Sequence, residues 1–232
     1  MIVLCIDIGG SGLKGALVNE QCEMVSERLR CETPQPASPE PVLAALTTLL
    51  KPMKGYERIA VGFPGVVTEG ITRTAHNLHP EWQDFPLAER LSQVFDVPTR
   101  VANDADVQGY GAVAGKGVEL VITLGTGCGS ALFTEGQLVP NLEMGHHPFR
   151  KDKTYEELLG DAARQESKKD WNRNLELAIE QWRKLFSFTR LYLGGGNASK
   201  IKFDLPVDVE VVSNQAGIYG GVALWLGPRF KS

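Results

Sequence analysis

Apolar residues fill positions 2–6, and Asp7 and Ile8 follow before the chain breaks into glycine. After Gly9-Gly10-Ser11-Gly12-Leu13-Lys14-Gly15 comes a second apolar run, Ala16 to Val18. Both runs are short and rich in β-branched residues, which predicts a strand, a tight turn and a second strand. The pattern returns at 120–133, Leu-Val-Ile-Thr-Leu-Gly-Thr-Gly-Cys-Gly-Ser-Ala-Leu-Phe. Two such hairpins in one chain predict two similar half-molecules facing one cleft.

Between and after the hairpins the pattern alternates between strand and helix. Strands are predicted at 23–31, 58–63, 66–73, 98–102, 190–193 and 207–212. Helices are predicted at 42–51, 86–95, 108–114, 154–187 and 215–226. Thr33-Pro34-Gln35-Pro36 is a surface connection, and Gly62-Phe63-Pro64-Gly65 breaks a strand sharply. Strands mixed with single helices predict an α/β protein.

Composition narrows the function classes. The chain has 232 residues, 43% hydrophobic and 22% charged, enough for one large domain or two small ones. A formal net charge of −4 argues against a nucleic-acid partner. No apolar run approaches the roughly 18–20 residues of a membrane span, and no basic leader precedes the first strand, so no membrane or secretory role is expected. Cys5, Cys22, Cys31 and Cys128 fit neither a zinc knuckle nor a disulfide framework, and buried or free thiols in a reducing cytoplasm are expected. Cys128 has no base beside it in sequence and reads as a small filler.

The glycine turns carry the candidate chemistry. Glycines let a backbone approach a phosphate, and successive N–H groups can form an anion-binding concavity. Ser11 adds a hydroxyl and Lys14 a point charge. Gly10-x-Gly12-x-x-Gly15 resembles a dinucleotide fingerprint, but that motif needs a helix opening at the glycines. Here a hairpin follows instead. Lys14 is followed by Gly15 rather than Ser or Thr, so the turn is not a Walker A loop. A glycine hairpin without a ligand stays open as an alternative.

Four motifs occur in a characteristic order: Asp7-Ile-Gly-Gly-Ser-Gly-Leu-Lys-Gly, Asn103-Asp104-Ala-Asp, Leu124-Gly-Thr-Gly-Cys-Gly-Ser and Glu143-Met-Gly-His146. Together they resemble the ROK family of sugar kinases, over residues 2 to about 226. Gly62-Phe-Pro-Gly-Val, Asn77-Leu78 with Trp82, and Pro140-Asn-Leu-Glu-Met-Gly-His are similar to the polyphosphate glucokinases within it.

The resemblance implies an actin-like α/β fold with two RNase H-like lobes around a central cleft. The N-terminal lobe would comprise 1–107 plus a returning C-terminal helix within 215–232. The C-terminal lobe would comprise 108–214. The implied activity is phosphoryl transfer to the 6-hydroxyl of glucose by a cytoplasmic homodimer. An ATP-dependent ROK hexokinase and a non-catalytic sugar-binding regulator are the alternatives. Some ROK proteins are repressors with an N-terminal helix-turn-helix, and that element is not expected here.

The family implies a role for each matched residue. Asp104 would be the general base, although an Asx turn or helix N-cap would also explain it. Asn103, Glu143, His146 and Glu156 would bind sugar hydroxyls, with Gly65 bordering the sugar. A solvated helix-face glutamate remains open for Glu156. Asp106 reads as an N-cap or a supporting group.

Gly9, Gly10, Ser11, Gly12 and Lys14 would bind phosphate in the first turn. Thr123, Gly125, Thr126, Gly127 and Gly195 would do so in the second half. Asp7 would hold magnesium through water, or merely cap its turn. Many ROK proteins carry a cysteine-rich zinc site after Glu-x-Gly-His, and no cysteine lies there, so no zinc is expected.

The donor is expected to be polyphosphate rather than ATP. Residues 146–202 hold 12 Lys and Arg against 8 Asp and Glu in a chain that is acidic as a whole. Arg150, Lys151, Lys153, Lys168 and Lys169 lie in that stretch. A long polyanion needs such a track and a nucleotide does not. A solvated helix face is the plainer explanation. The stretch between Gly196 and Gln215, where a nucleotide base would rest in the family, is short.

Overall fold

Strands form where the apolar runs predict them. The computed structural model describes residues 1–75, 78–213 and 216–227. Asn77, part of one motif above, lies outside them. So do Gln215 and residues 228–232 of the expected C-terminal element. The described residues group into two compact units: Met1–Gly111 with the C-terminal helix, and the chain from Ala112 to the loop before that helix.

The first unit contains β1 (Ile2–Ile8), β2 (Leu13–Asn19), β3 (Leu29–Cys31), α1 (Pro39–Leu50), β4 (Arg58–Phe63), β5 (Val67–Thr68), β6 (Ile71–Thr72), α2 (Leu87–Phe95), β7 (Thr99–Asn103) and α3 (Asp104–Tyr110). The second contains β8 (Val118–Leu124), β9 (Cys128–Thr134), β10 (Gln137–Val139), β11 (Pro148–Arg150), β12 (Lys153–Thr154), α4 (Tyr155–Leu159), α5 (Asp161–Glu166), α6 (Lys168–Phe186), β13 (Arg190–Gly194) and β14 (Val209–Val211). Helix α7 (Ala216–Leu226) belongs to the first unit.

The two large sheets share one topology. Their orders are β3-β2-β1-β4-β7 and β10-β9-β8-β13-β14. In each, three antiparallel strands are followed by two that run parallel to the first hairpin strand. The duplication expected from the repeated hairpin is present at the level of strand order.

Strand β1 is buried on both faces, which explains its unbroken apolar run. Alternate residues point to opposite sides. Leu4, Ile6 and Ile8 pack with Val42, Leu46 and Leu50 of α1 and with Leu91 of α2. Val3 and Cys5 pack with Ala16, Val18, Ala60 and Val222 of α7. Each fully buried large side chain contributes about 1.5–3 kcal/mol. Helix α7 sits unusually close: a Cβ at Gly220 would collide with the Val107 carbonyl of α3, and one at Gly221 would fall 2.6 Å from the Cys5 sulfur. That approach is why this helix is rich in glycine.

In the second unit, Leu120, Ile122 and Leu124 pack under Trp171, Leu175, Ile179 and Trp182 of α6. Behind β8 lies a buried carboxylate. Glu119, 1% exposed, accepts from the backbone N–H of Ala114 (2.7 Å), Gly115 (2.7 Å) and Lys116 (3.0 Å), and from the Tyr192 hydroxyl (2.9 Å).

Four elements differ from expectation. The strand expected at 66–73 is a hairpin, β5 paired with β6, because Glu69 and Gly70 take positive φ and turn the chain between them. The strand predicted at 23–31 shrinks to β3, because Ser26 Oγ accepts from the Leu17 N–H and the segment around it bends. The helix predicted at 108–114 begins at Asp104 and ends at Tyr110, because Asn103 supplies its cap. The long helix predicted at 154–187 is three helices, divided at Gly160 and at Ser167.

Arg183 of α6 pairs with Asp208 before β14, through Nη1–Oδ2 and through Nη2–Oδ1 at 3.0 Å. The guanidinium holds the Asp208 carboxyl below the usual carboxylate range. A depressed folded pKa stabilises above the unfolded value, about 3.9, and that stabilisation is lost as pH falls through the folded value. Asp208→Asn is therefore expected to lower the urea midpoint more at pH 7 than at pH 2.5. An equal loss at both pH values would mean that charge is not what the pair contributes.

Candidate active site

In the first unit the candidate residues collect at the carboxyl end of the parallel strands, where open α/β sheets hold ligands. Asp7 stands beside Gly62, and Gly62 beside Ala102, in adjacent strands. The Asp104 Cα lies 3.4 Å from where a Gly62 Cβ would be. Asp104 is thus about two strand spacings from Asp7, on the order of 10 Å.

Asn103, not Asp104 or Asp106, caps α3. Its Oδ1 accepts from the N–H of Ala105 (2.8 Å) and Asp106 (3.4 Å). Its Nδ2 donates to the Gly65 carbonyl (3.1 Å), which ties the turn after β4 to the start of the helix. The N-cap reading of Asp106 is therefore corrected: Asp106 is inside the first turn and 2% exposed. Asp104 is the first helical residue and half-buried. Both carboxylates gain from the positive end of the helix dipole.

The first glycine turn closes through Gly9 N–H to Gly12 carbonyl at 3.0 Å, and the Thr33 hydroxyl donates to the Gly9 carbonyl. Among the described residues the amides of Gly10, Ser11 and Gly12 make no hydrogen bond. Lys14 Nζ reaches Asp7 Oδ2 at 2.6 Å across the β1–β2 pair. Arg30 is the next residue in the same cross-strand row, and its Nε lies 3.2 Å from the Cβ position of Gly12. The sequence reading missed Arg30. Its signal was available: it sits in a short strand that must pair with the Lys14 strand.

The second unit gathers its candidates around the start of β9. The turn 125–127 closes through Gly125 N–H to Gly127 carbonyl at 3.0 Å. The Gly125 carbonyl accepts from Asp161 N–H (2.9 Å) and from Asn197 Nδ2 (3.3 Å). The Glu156 carboxylate lies against Gly127 and accepts from Cys128 N–H at 3.2 Å. It is therefore not a solvated helix-face glutamate.

Gly145 packs on the Cys128 carbonyl, and Ser130 Oγ bonds the Leu142 carbonyl and the Met144 N–H. These contacts fix the Glu143–His146 segment, in which His146 Nε2 is 3.8 Å from Glu143 Oε2. Glu143, His146 and Glu156 thus share one neighbourhood with the 125–127 turn. Burial pushes the Cys128 thiol up to about 12, so at neutral pH it stays protonated.

Gly195 lies directly over the end of β8, with φ +86°, where any Cβ would strike the Leu124 backbone. Only glycine fits that conformation and that approach. Asn197, a residue the sequence reading did not single out, bonds the Leu124 carbonyl through its N–H at 2.9 Å and so ties the segment after Gly194–Gly196 to the 125–127 turn. Thr123 stands between Gly129 and Gly194 in the sheet, half-buried.

Known proteins resemble this chain in sequence and fold. The ROK family model matches residues 3–157. A polyphosphate glucokinase of Mycobacterium tuberculosis is 32% identical over 93% of this chain and 88% of its own length. The solved inorganic polyphosphate/ATP-glucomannokinase of Arthrobacter sp. strain KM superposes with a TM-score of 0.87 at 30% identity, covering 96% of this chain and 97% of that one. A ROK family glucokinase from Streptomyces griseus, solved with glucose and AMPPNP, has a TM-score of 0.80 at 17% identity over 97% and 99%. The fold is the actin-like two-lobe fold of sugar kinases, with an RNase H-like sheet in each unit. The ordered motifs, the duplicated sheets and these matches agree: the chain belongs to the ROK family.

Proposed function

We propose that this protein is a glucokinase that transfers the terminal phosphoryl group of inorganic polyphosphate to the 6-hydroxyl of glucose. The observation that carries the reading is the placement of Asp104. It opens α3 at the carboxyl edge of the first sheet while Asn103 does the capping, so its carboxylate is not needed as the cap. Both relatives that are named for sugar and donor name polyphosphate, the Arthrobacter enzyme together with ATP. The alternatives, an ATP-dependent hexokinase and a non-catalytic regulator, have less behind them.

In this reading Asp104 accepts the proton of the glucose 6-hydroxyl as its oxygen bonds to phosphorus. The bridging P–O bond breaks, and a polyphosphate one unit shorter leaves. Glu143, His146 and Glu156 orient the sugar through its hydroxyls, and Asn103 with Gly65 shapes the wall beside the base. The 125–127 turn, Thr123 and Gly195 hold the donor. Within the first unit, the Gly9–Gly12 turn, Lys14 and Arg30 bind phosphate oxygens.

Magnesium is the expected cofactor. Phosphoryl-transfer enzymes commonly bind it through one or two carboxylates, phosphate and water. A single half-buried carboxylate, Asp7, fits that donor set and not an all-protein cage. When bound with the donor, the ion spreads phosphate charge; Asp7 would hold it through water. A cytoplasmic homodimer without zinc completes the proposal. Among the described residues no helix is long and apolar enough to cross a membrane.

The test is a coupled assay for glucose 6-phosphate with polyphosphate or ATP at matched magnesium. Faster turnover with polyphosphate is expected. ATP alone as an effective donor would overturn the donor assignment, and no product from either donor would overturn the kinase reading.

A further inference from the structure

A continuous surface leads away from the second glycine turn, and it is basic. Asn197 is bonded to the backbone of Leu124 and Gly125. The turn Ala198–Lys200 follows at once, with the Lys200 N–H on the Asn197 carbonyl at 2.9 Å. Two residues later the Lys202 N–H donates to Asn172 Oδ1 at 2.7 Å. Asn172 Nδ2 in turn donates to the Lys168 carbonyl at 2.8 Å. Asn172 thus clasps the 200–202 loop to the first turn of α6. Five exposed cations gather along this path: Lys200, Lys202, Lys168, Lys169 and Arg173.

Other cations of the region are engaged. Arg164 pairs with Asp161, Arg183 with Asp208, and Arg150 donates to Asn174. Among the described residues none of the five on the path makes an ion pair. Of the nearby acids, Asp170 is held by the Ser167 hydroxyl at 2.8 Å, and Glu166 and Asp204 are exposed. The Ala198–Lys200 turn keeps the path from Asn197 to Lys202 shorter than the roughly 18 Å that five extended residue steps could reach.

We infer that this path is the subsite for the distal part of the polyphosphate chain, with Lys168, Lys169 and Lys202 as its determinants of donor length. The inference rests on polyphosphate being the donor. It refines the earlier list from the sequence. Lys168 and Lys169 are joined to the donor turn through Asn172 and the 200–202 loop. Lys151 and Lys153 sit on the separate β11–β12 hairpin. Binding by several exposed cations gives affinity that rises with chain length and falls with salt, as counterions are released.

The experiment compares the unsubstituted protein with a Lys168→Gln/Lys169→Gln/Lys202→Gln variant and a Lys184→Gln control. Lys184 is also exposed on α6, but in its last turn. KM is measured for long-chain polyphosphate and for tripolyphosphate at two salt concentrations. For the triple variant the KM for the long chain is expected to rise about tenfold or more, with a much smaller change for tripolyphosphate. The salt slope for the long chain should flatten by about 2, near 0.7 per cation removed. The control should follow the unsubstituted protein. An unchanged long-chain KM and salt slope, in a protein that does use polyphosphate, overturns the subsite and leaves the donor reading standing. Equal losses for long and short donors also overturn it. No use of polyphosphate by the unsubstituted protein overturns both.

Discussion

Replacing Asp104 by Asn is expected to cut turnover by about 10²-fold or more and leave the fold intact. General-base loss commonly costs on that scale. Stability should be spared because Asn103, not Asp104, accepts from the Ala105 and Asp106 amides and anchors Gly65. Asparagine is nearly isosteric, and it leaves Asp106 to serve the helix dipole. It cannot take a proton at neutral pH. The measurement is kcat with glucose and polyphosphate, beside glucose affinity by calorimetry and the thermal midpoint. Unchanged affinity and midpoint with collapsed kcat is the expected result. Near-normal kcat would remove Asp104 from the base role.

The sequence shows the frame of the molecule because its signals are local. An apolar run ending in glycine is a strand and a turn, and the two copies at 2–18 and 120–133 become the first hairpins of two sheets with the same order. The site is harder to read, because its geometry depends on contacts distant in sequence. Asn103-Asp104-Ala-Asp offers three capping groups, and only the three-dimensional bond to Gly65 shows how Asn103 is used. Glu156 looks like one of two adjacent glutamates on a helix. Its contact with Cys128, 28 residues away, depends on α4 ending at Gly160. The helix boundaries at 104, 160 and 167 shifted for the same reason: caps and close packing set them, and hydrophobic period does not.

Glu119 illustrates the same limit, and its loss is expected to have the largest effect on stability. One acid in an otherwise apolar strand, just after Gly115-Lys116-Gly117, was the available signal. A fully buried carboxylate survives only if its lone pairs are filled. Here three backbone amides and one hydroxyl fill them. Burial and the Glu119 carboxylate raise the Tyr192 pKa, so its hydroxyl remains a donor throughout the physiological range.

Glu119→Ala would remove the acceptor and leave those donors facing a cavity. Each stranded buried donor costs about 1–3 kcal/mol, reduced where water can reach the loop, so the total is about 3 kcal/mol or more. At about 2–4 °C per kcal/mol for a chain of this size, the thermal midpoint should fall by roughly 6–12 °C. Glu119→Gln should be nearly as damaging, since its NH2 would point a donor at donors. Tyr192→Phe removes one hydrogen bond and should cost only about 1 kcal/mol. Tryptophan fluorescence can follow the second unit through Trp171 and Trp182, both buried there. A Glu119→Ala midpoint within about 1 °C of the unsubstituted protein would mean that the loop finds other acceptors, and that Glu119 is not what fixes it to β8.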